Sequence, residues 1–201
     1  MNTIRSVCVY CGSSAGRDPL YIDSGRALGH AIAEAGLRLV YGGGTRGIMG
    51  AVSDGVVAAG GKVTGIIPRF LIDMEATERE LKRLDELVVT EDMHERKQLM
   101  FQRSDAFVAL PGGIGTLEEL VEIMTWSQLG RHEKPIVIAD IGGFWQPLSA
   151  LFDHMNAEGF IHRAEQVKPL VIGDIAEIVP AILAAAPQDE DEGRPEIIGR
   201  L

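Results

Sequence analysis

Two adjacent carboxylates follow a run of glycines in the stretch Ala109-Leu-Pro-Gly-Gly-Ile-Gly-Thr-Leu-Glu-Glu119. The apolar residues 106–110 before it read as a buried strand, and residues 117–129 after it read as an amphipathic helix. A strand, a glycine-rich turn and a helix N-terminus together make an anion site, because free backbone N–H groups and the helix dipole both point at the turn. Gly112, Gly113 and Gly115 let the backbone come close to a phosphate or sugar, and Thr116 adds a hydroxyl. Glu118 and Glu119 then stand at the mouth of a site built for an anion, where a carboxylate calls for a chemical reason.

Helical phasing separates the two. Leu117, Leu120, Val121 and Met124 form one apolar face. Glu119 falls with Ile123 and Trp126 on nearly the opposite face, and Glu118 and Glu122 lie on a flank with Thr125. A helix apolar on two sides is either sandwiched in a core or shared with a second chain. Glu119 is therefore expected to be partly desolvated, with its pKa open to tuning.

Cations come from Met93-His-Glu-Arg-Lys-Gln-Leu-Met-Phe101, a helix whose apolar residues do not make one stripe. Such a helix is buried on more than one side, so Arg96 and Lys97 cannot both point to water and need carboxylate or anionic partners. One of the two is expected to snorkel at the rim. Two more glycine loops follow strands. Gly12-Ser13-Ser14 comes after the strand at 5–10, and Gly42-Gly43-Gly44-Thr45-Arg46-Gly47 after the strand at 37–41. Gly42, Gly44 and Gly47 satisfy Gly-x-Gly-x-x-Gly between a strand and a helix. The acidic residue that would hold a ribose at the end of the next strand is missing, because that strand ends in Pro68-Arg69. Full dinucleotide recognition is therefore not expected, and the same kind of loop can hold a nucleoside monophosphate.

Strands at 5–10, 37–41, 62–67, 86–90, 106–110, 134–139 and 167–172 alternate with helices at about 20–35, 48–59, 93–103, 117–129, 145–158 and 174–185. Residues 69–85 are charged and poorly periodic, a short helix or an excursion over the site. Continuously apolar strands between helices predict an α/β, three-layer, Rossmann-like fold with a doubly wound, mostly parallel sheet of about seven strands. In such a sheet the three glycine loops gather at the C-terminal edge, where ligands bind.

The 201 residues suit one domain over 1–186, followed by an acidic, disordered tail over 187–201. A net charge of −10 argues against duplex nucleic acid as a partner. No apolar run approaches the roughly 18 residues of a membrane span, and the N-terminus has no signal-peptide core, so no membrane partner and a cytoplasmic location are expected. Cys8 and Cys11 form a Cys-x-x-Cys that lies inside a strand, and the five histidines are scattered, so the cysteines read as structural and no metal site is expected.

Cys11-Gly-Ser-Ser14, Tyr41-Gly-Gly-Gly44 with Gly47-Ile-Met-Gly50, Met93-His-Glu-Arg-Lys97 and Pro111-Gly-Gly-Ile-Gly-Thr-Leu-Glu-Glu119 together resemble the Lonely Guy family of cytokinin riboside 5′-monophosphate phosphoribohydrolases. The resemblance runs from about residue 5 to about residue 185. It implies hydrolysis of the N-glycosidic bond of an N6-substituted AMP, giving free base and ribose 5-phosphate, with no cofactor. It implies Arg96 and Glu119 as the catalytic pair. The implied nucleotide contacts are Gly12, Ser13, Gly43, Gly44, Thr45, Met93, Arg96, Lys97, Gly112, Gly113, Ile114, Gly115, Thr116, Leu117, Glu118, Glu119 and Thr125. A homodimer through the helices around 95–103 and 117–129 is also expected. Plant members commonly carry Glu after the Pro-Arg that matches Pro68-Arg69, where this chain has Phe70. Base preference therefore stays open between N6-substituted AMP and AMP itself. Two other classes remain: a non-catalytic nucleotide or cofactor carrier on the same fold, and a nicotinamide-dependent oxidoreductase.

Overall fold

The computed structural model describes residues 4–161 and 169–186, with the side chain of residue 78 left out. Seven strands form one sheet: β1 (Ser6–Tyr10), β2 (Arg38–Tyr41), β3 (Lys62–Pro68), β4 (Glu86–Thr90), β5 (Ala106–Ala109), β6 (Ile136–Ala139) and β7 (Leu170–Ile172). Their order is β4-β3-β2-β1-β5-β6-β7, and every neighbouring pair runs parallel. The order reverses between β1 and β5, which is the switch point where such sheets open a crevice at their carboxyl ends.

Both faces of the sheet are covered, so its central strands can be apolar throughout. Alternation sends Val7, Val9, Leu39, Val63, Val108 and Val137 to one face, against α1 (Pro19–Glu34), α2 (Gly47–Ala58) and α8 (Ile175–Ala184). It sends Cys8, Tyr10, Val40, Ile66, Phe107 and Ile138 to the other, against α5 (Met93–Gln102) and α6 (Ile114–Gln128), with Trp145 just ahead of α7 (Gln146–Ala157). These are the three layers expected. Caps fix where several helices begin. Asp18 accepts from Leu20 N–H before Pro19, Asp92 from His94 and Glu95, and Asp174 from Ala176. The charged segment after β3 is a 3-10 turn, Arg69–Leu71, followed by two four-residue helices, α3 (Ile72–Glu75) and α4 (Glu78–Leu81).

On the face away from α6, α1 and α2 meet backbone to backbone. A methyl group on Gly29 would fall on the carbonyl of Val52, and one on Gly55 on the carbonyl of Arg26. Each added methyl would also come within 3.2 Å of the other glycine's α-carbon.

Several strand boundaries differ from the sequence reading by one or two residues. β6 begins two residues late, because Lys134 and Pro135 approach the sheet without joining it as a strand. The segment expected as a last strand at 167–172 is a strand over Leu170–Ile172, and residues 167 and 168 lie outside the described residues. The expected tail at 187–201 also lies outside them.

Candidate active site

α6 starts at Ile114 rather than Leu117, with Gly113 at the N-cap. The first bond of the helix runs from Leu117 N–H to the Gly113 carbonyl, at 3.0 Å. Gly113 has no side chain to cap the helix, and no side-chain cap is formed. The amides of the first turn therefore face outward as donors, and the positive end of the helix dipole adds to them. Gly112 is required behind this turn, since a side chain there would fall on Thr116.

One turn into α6 is Glu119, only 8% exposed. Burial pushes its pKa up to about 7; the Arg96 guanidinium pulls it down, and the neighbouring Glu118 pushes it up. Arg96 comes from α5, on the same side of the sheet, and is buried too. Its Nε donates to the Ile66 carbonyl and its Nη2 to the Gly42 carbonyl, both at 3.3 Å, while Nη1 stands 3.7 Å from Met93 Sδ. Nη1 also lies 3.9 Å from Glu119 Oε1. The cation is thus anchored on the ends of β2 and β3 and turned toward the carboxylate.

The expected rim-snorkelling cation is absent from this pair. Lys97 is also withdrawn, its Nζ 2.5 Å from Glu118 and 3.1 Å from Glu122. Burial alone would lower its pKa, but the two carboxylates outweigh that and raise it. This ties α5 to α6 and occupies Glu118, leaving Glu119 as the carboxylate beside Arg96.

A cavity of about 320 Å³ opens between these groups. Gly12, Ser13, Met93, Arg96, Gly113, Ile114, Gly115, Thr116, Glu118 and Glu119 line it, all of them expected from the sequence. Gly42 of the expected glycine loop lines it as well, and Met49, Glu75 and Met100 join it without having been expected. Glu75 is the informative addition: its Oε2 is buried with no hydrogen-bond partner. Its carbonyl accepts from the Thr45 N–H at 2.8 Å and the Thr45 hydroxyl at 3.5 Å, which pins α3 against the β2 loop. β3 ends in Pro68-Arg69 without a carboxylate, and the chain then turns back and brings Glu75 to the cavity beside the β2 loop. The signal for it lies only in that turn-back, which the charged segment hides.

The remaining expected residues sit beside the cavity rather than on it. Gly43, Gly44 and Thr45 form the β2 loop behind Glu75, and Gly112 lines a neighbouring pocket with Ser13, Ser14 and Phe144. Leu117 and Thr125 line a separate apolar groove between α6 and α7, where Thr125 donates its hydroxyl to the Val121 carbonyl at 2.8 Å. Leu120 belongs with Ile123 and Glu119 on the buried side of α6, so the outer face is Leu117, Val121 and Met124. Cys8 in β1 and Cys11, one residue past its end rather than inside the strand as expected, are buried free thiols in the cores on opposite sides of the sheet, and burial raises both. Among the described residues, no group of three or more His, Cys, Asp or Glu could hold a metal ion.

The profile of the family described as "Possible lysine decarboxylase" matches residues 49–182. The chain is 43% identical over 181 residues to the cytokinin riboside 5′-monophosphate phosphoribohydrolase of Rhodococcoides fascians, covering 90% of each. It is 45% identical over 168 residues to the enzyme of that name from Oryza sativa subsp. japonica, covering 84% of this chain and 67% of that one. It belongs to the Lonely Guy family. An Arabidopsis thaliana member is 41% identical over 186 residues, covering 92% of this chain and 80% of that one. The Lonely Guy fold extends beyond the enzymes: the molybdenum cofactor carrier protein of Chlamydomonas reinhardtii superposes with a TM-score of 0.67 at 22% identity, over 90% of this chain and 98% of that one. That likeness concerns the fold alone. Among the described residues no helix is long and apolar enough to cross a membrane.

Proposed function

We propose that this chain hydrolyses the N-glycosidic bond of adenosine 5′-monophosphate or its N6-substituted derivatives, releasing the base and ribose 5-phosphate. One observation carries the reading: a buried carboxylate, Glu119, faces an anchored guanidinium one turn inside a helix whose open N-terminus suits a phosphate. The names of the relatives agree with it.

The chemistry follows from the charges. The 5′-phosphate rests on the amides of 113–116. Glu75, with a free carboxylate oxygen at the cavity, accepts from a hydroxyl or N–H of the nucleoside. As the C1′–N9 bond breaks, its electron pair leaves with the base and positive charge builds on the sugar. Ionised Glu119 opposes that charge and takes a proton from the water that adds to C1′; the proton then passes to the departing base. Arg96 keeps part of the Glu119 population ionised near neutrality. A nucleotide supply and buried free thiols fit a cytoplasmic location.

We take residues 1–186 as one domain, since a single sheet carries every element of the site. The protein acts as a homodimer in this reading. The outer face of α6 and the facing side of α7 leave an apolar groove of about 370 Å³ lined by Val121, Met124, Leu151 and Met155, which a second copy would cover. The groove shares α6 with the surface expected from the sequence, the helices around 95–103 and 117–129, and adds α7 to it in this reading.

The test is to incubate the protein with AMP and with isopentenyladenosine monophosphate and measure free base and ribose 5-phosphate. Release from either supports the hydrolase, and the ratio of rates fixes the base preference. Tight binding of both without release would replace the enzyme by a nucleotide carrier.

A further inference from the structure

Arg96 reaches the cavity through a space that a side chain would fill. A Cβ on Gly42, directly after β2, would fall on Nη2 of Arg96, with Arg96 Cζ 3.2 Å and Met49 Sδ 3.3 Å away. The Gly42 backbone gives no other reason for glycine. It is not among the residues with positive φ, whereas its neighbour Gly43 has a φ of 76°. Glycine at 43 serves the backbone; glycine at 42 serves the guanidinium. Arg96 donates to the carbonyl of the same Gly42 and to that of Ile66, so it lies across the ends of two strands. Those two bonds fix the guanidinium plane, and Nη1, which also reaches Met93 Sδ, is the nitrogen 3.9 Å from Glu119 Oε1.

We infer that Gly42 is a positioning residue of the hydrolase: the room left by its missing side chain seats the Arg96 guanidinium and so sets the cation beside Glu119. The inference rests on the hydrolase reading above. A methyl group at 42 meets no backbone objection, so Arg96 must move. The phosphate seat at 113–116 belongs to another element and is untouched. The effect therefore falls on turnover rather than on nucleotide affinity.

The test compares wild type, Gly42→Ala, Arg96→Ala and the double variant as full chains, reading kcat and KM for base release and AMP affinity by calorimetry. Gly42→Ala is expected to lower kcat about 10²-fold, the scale for losing one preorganised charge. Its KM and AMP affinity stay within about threefold of wild type, and the double variant is no slower than Arg96→Ala alone. Both single variants shift the acid limb of the kcat/KM profile to higher pH, because the cation no longer favours the ionised carboxyl. A Gly42→Ala enzyme within about twofold of wild-type kcat would overturn the inference, as would a double variant slower than Arg96→Ala by the full Gly42→Ala factor. If Gly42→Ala does not fold, the double variant decides: folding restored by removing the guanidinium supports the inference, and persistent misfolding overturns it. If wild type releases no base from either nucleotide, the hydrolase reading has failed on its own. A carbon-detected titration of Glu119 then still decides the seat, since an upward shift in Gly42→Ala supports it and an unchanged midpoint overturns it.

Discussion

Burial raises the pKa of Glu119 from the ordinary carboxylate range to about 7. For a group that acts as an anion, activity must rise with pH. kcat/KM for base release is expected to climb through an inflection near 7 on the acid side, and Arg96→Ala to move that inflection upward. A profile flat from pH 5.5 to 8 would contradict the assignment. Glu119→Gln is expected to cut kcat by about 10²–10⁴-fold while AMP still binds. The same substitution has a stability consequence of opposite sign. A carboxyl whose folded pKa lies above its unfolded value is stabilising when protonated, and that contribution is lost as pH rises from the unfolded value through about 7. Glu119→Gln should therefore raise the melting temperature at pH 8 relative to wild type, by roughly 1–3 kcal/mol of stability, and change it less at pH 5. At this scale the distinction between Glu118 and Glu119 could be read from helical phase alone. Glu75 could not, because no periodicity marks the segment that carries it and only the path of the chain brings it to the β2 loop.

Among the elements, α6 was legible as a helix but not in its first turn. Gly113, Gly115 and Thr116 are poor helix formers, and a sequence weighs them as loop. In the fold the turn forms because Leu117 bonds back to Gly113 and Thr116 packs against Gly112. The other end of the same helix is held by His132, whose Nε2–H donates to the Ile123 carbonyl at 2.9 Å while Nδ1 accepts from Lys134 N–H at 3.1 Å. The Lys134 bond needs the neutral ring, since a protonated Nδ1 cannot accept, while the Ile123 bond is kept in either form. Burial lowers its pKa, the Ile123 bond works against this, and the Lys134 charge adds to the lowering. A depressed histidine contributes stability above its ordinary pKa and loses it as pH falls. Replacing it by His132→Gln should cost roughly 1–2 kcal/mol by urea titration at pH 7.5, and the difference from wild type should shrink at pH 5. A gap that widens on acidification would contradict this role.

The whole molecule brings three glycine loops to one edge of a parallel sheet, and strand–helix alternation was enough to foresee that. What alternation could not say is which side of the edge is the working side. Arg96, Lys97 and Glu119 all lie on the α5–α6 face, which the proposed hydrolysis makes the working side. That face ends in the apolar groove, and Val121→Glu is expected to convert a dimer to a monomer in sedimentation velocity at micromolar concentration. Wild type sedimenting as a monomer would remove the dimer from the account. The opposite face carries the contact of Gly29 with α2 and of Gly55 with α1, where no atom can be added. Its consequence is evolutionary. In a library of random substitutions sorted for base release, positions 29 and 55 should be as intolerant as Glu119 while touching no ligand, so within α1 and α2 drift accumulates on the surfaces turned away from this contact.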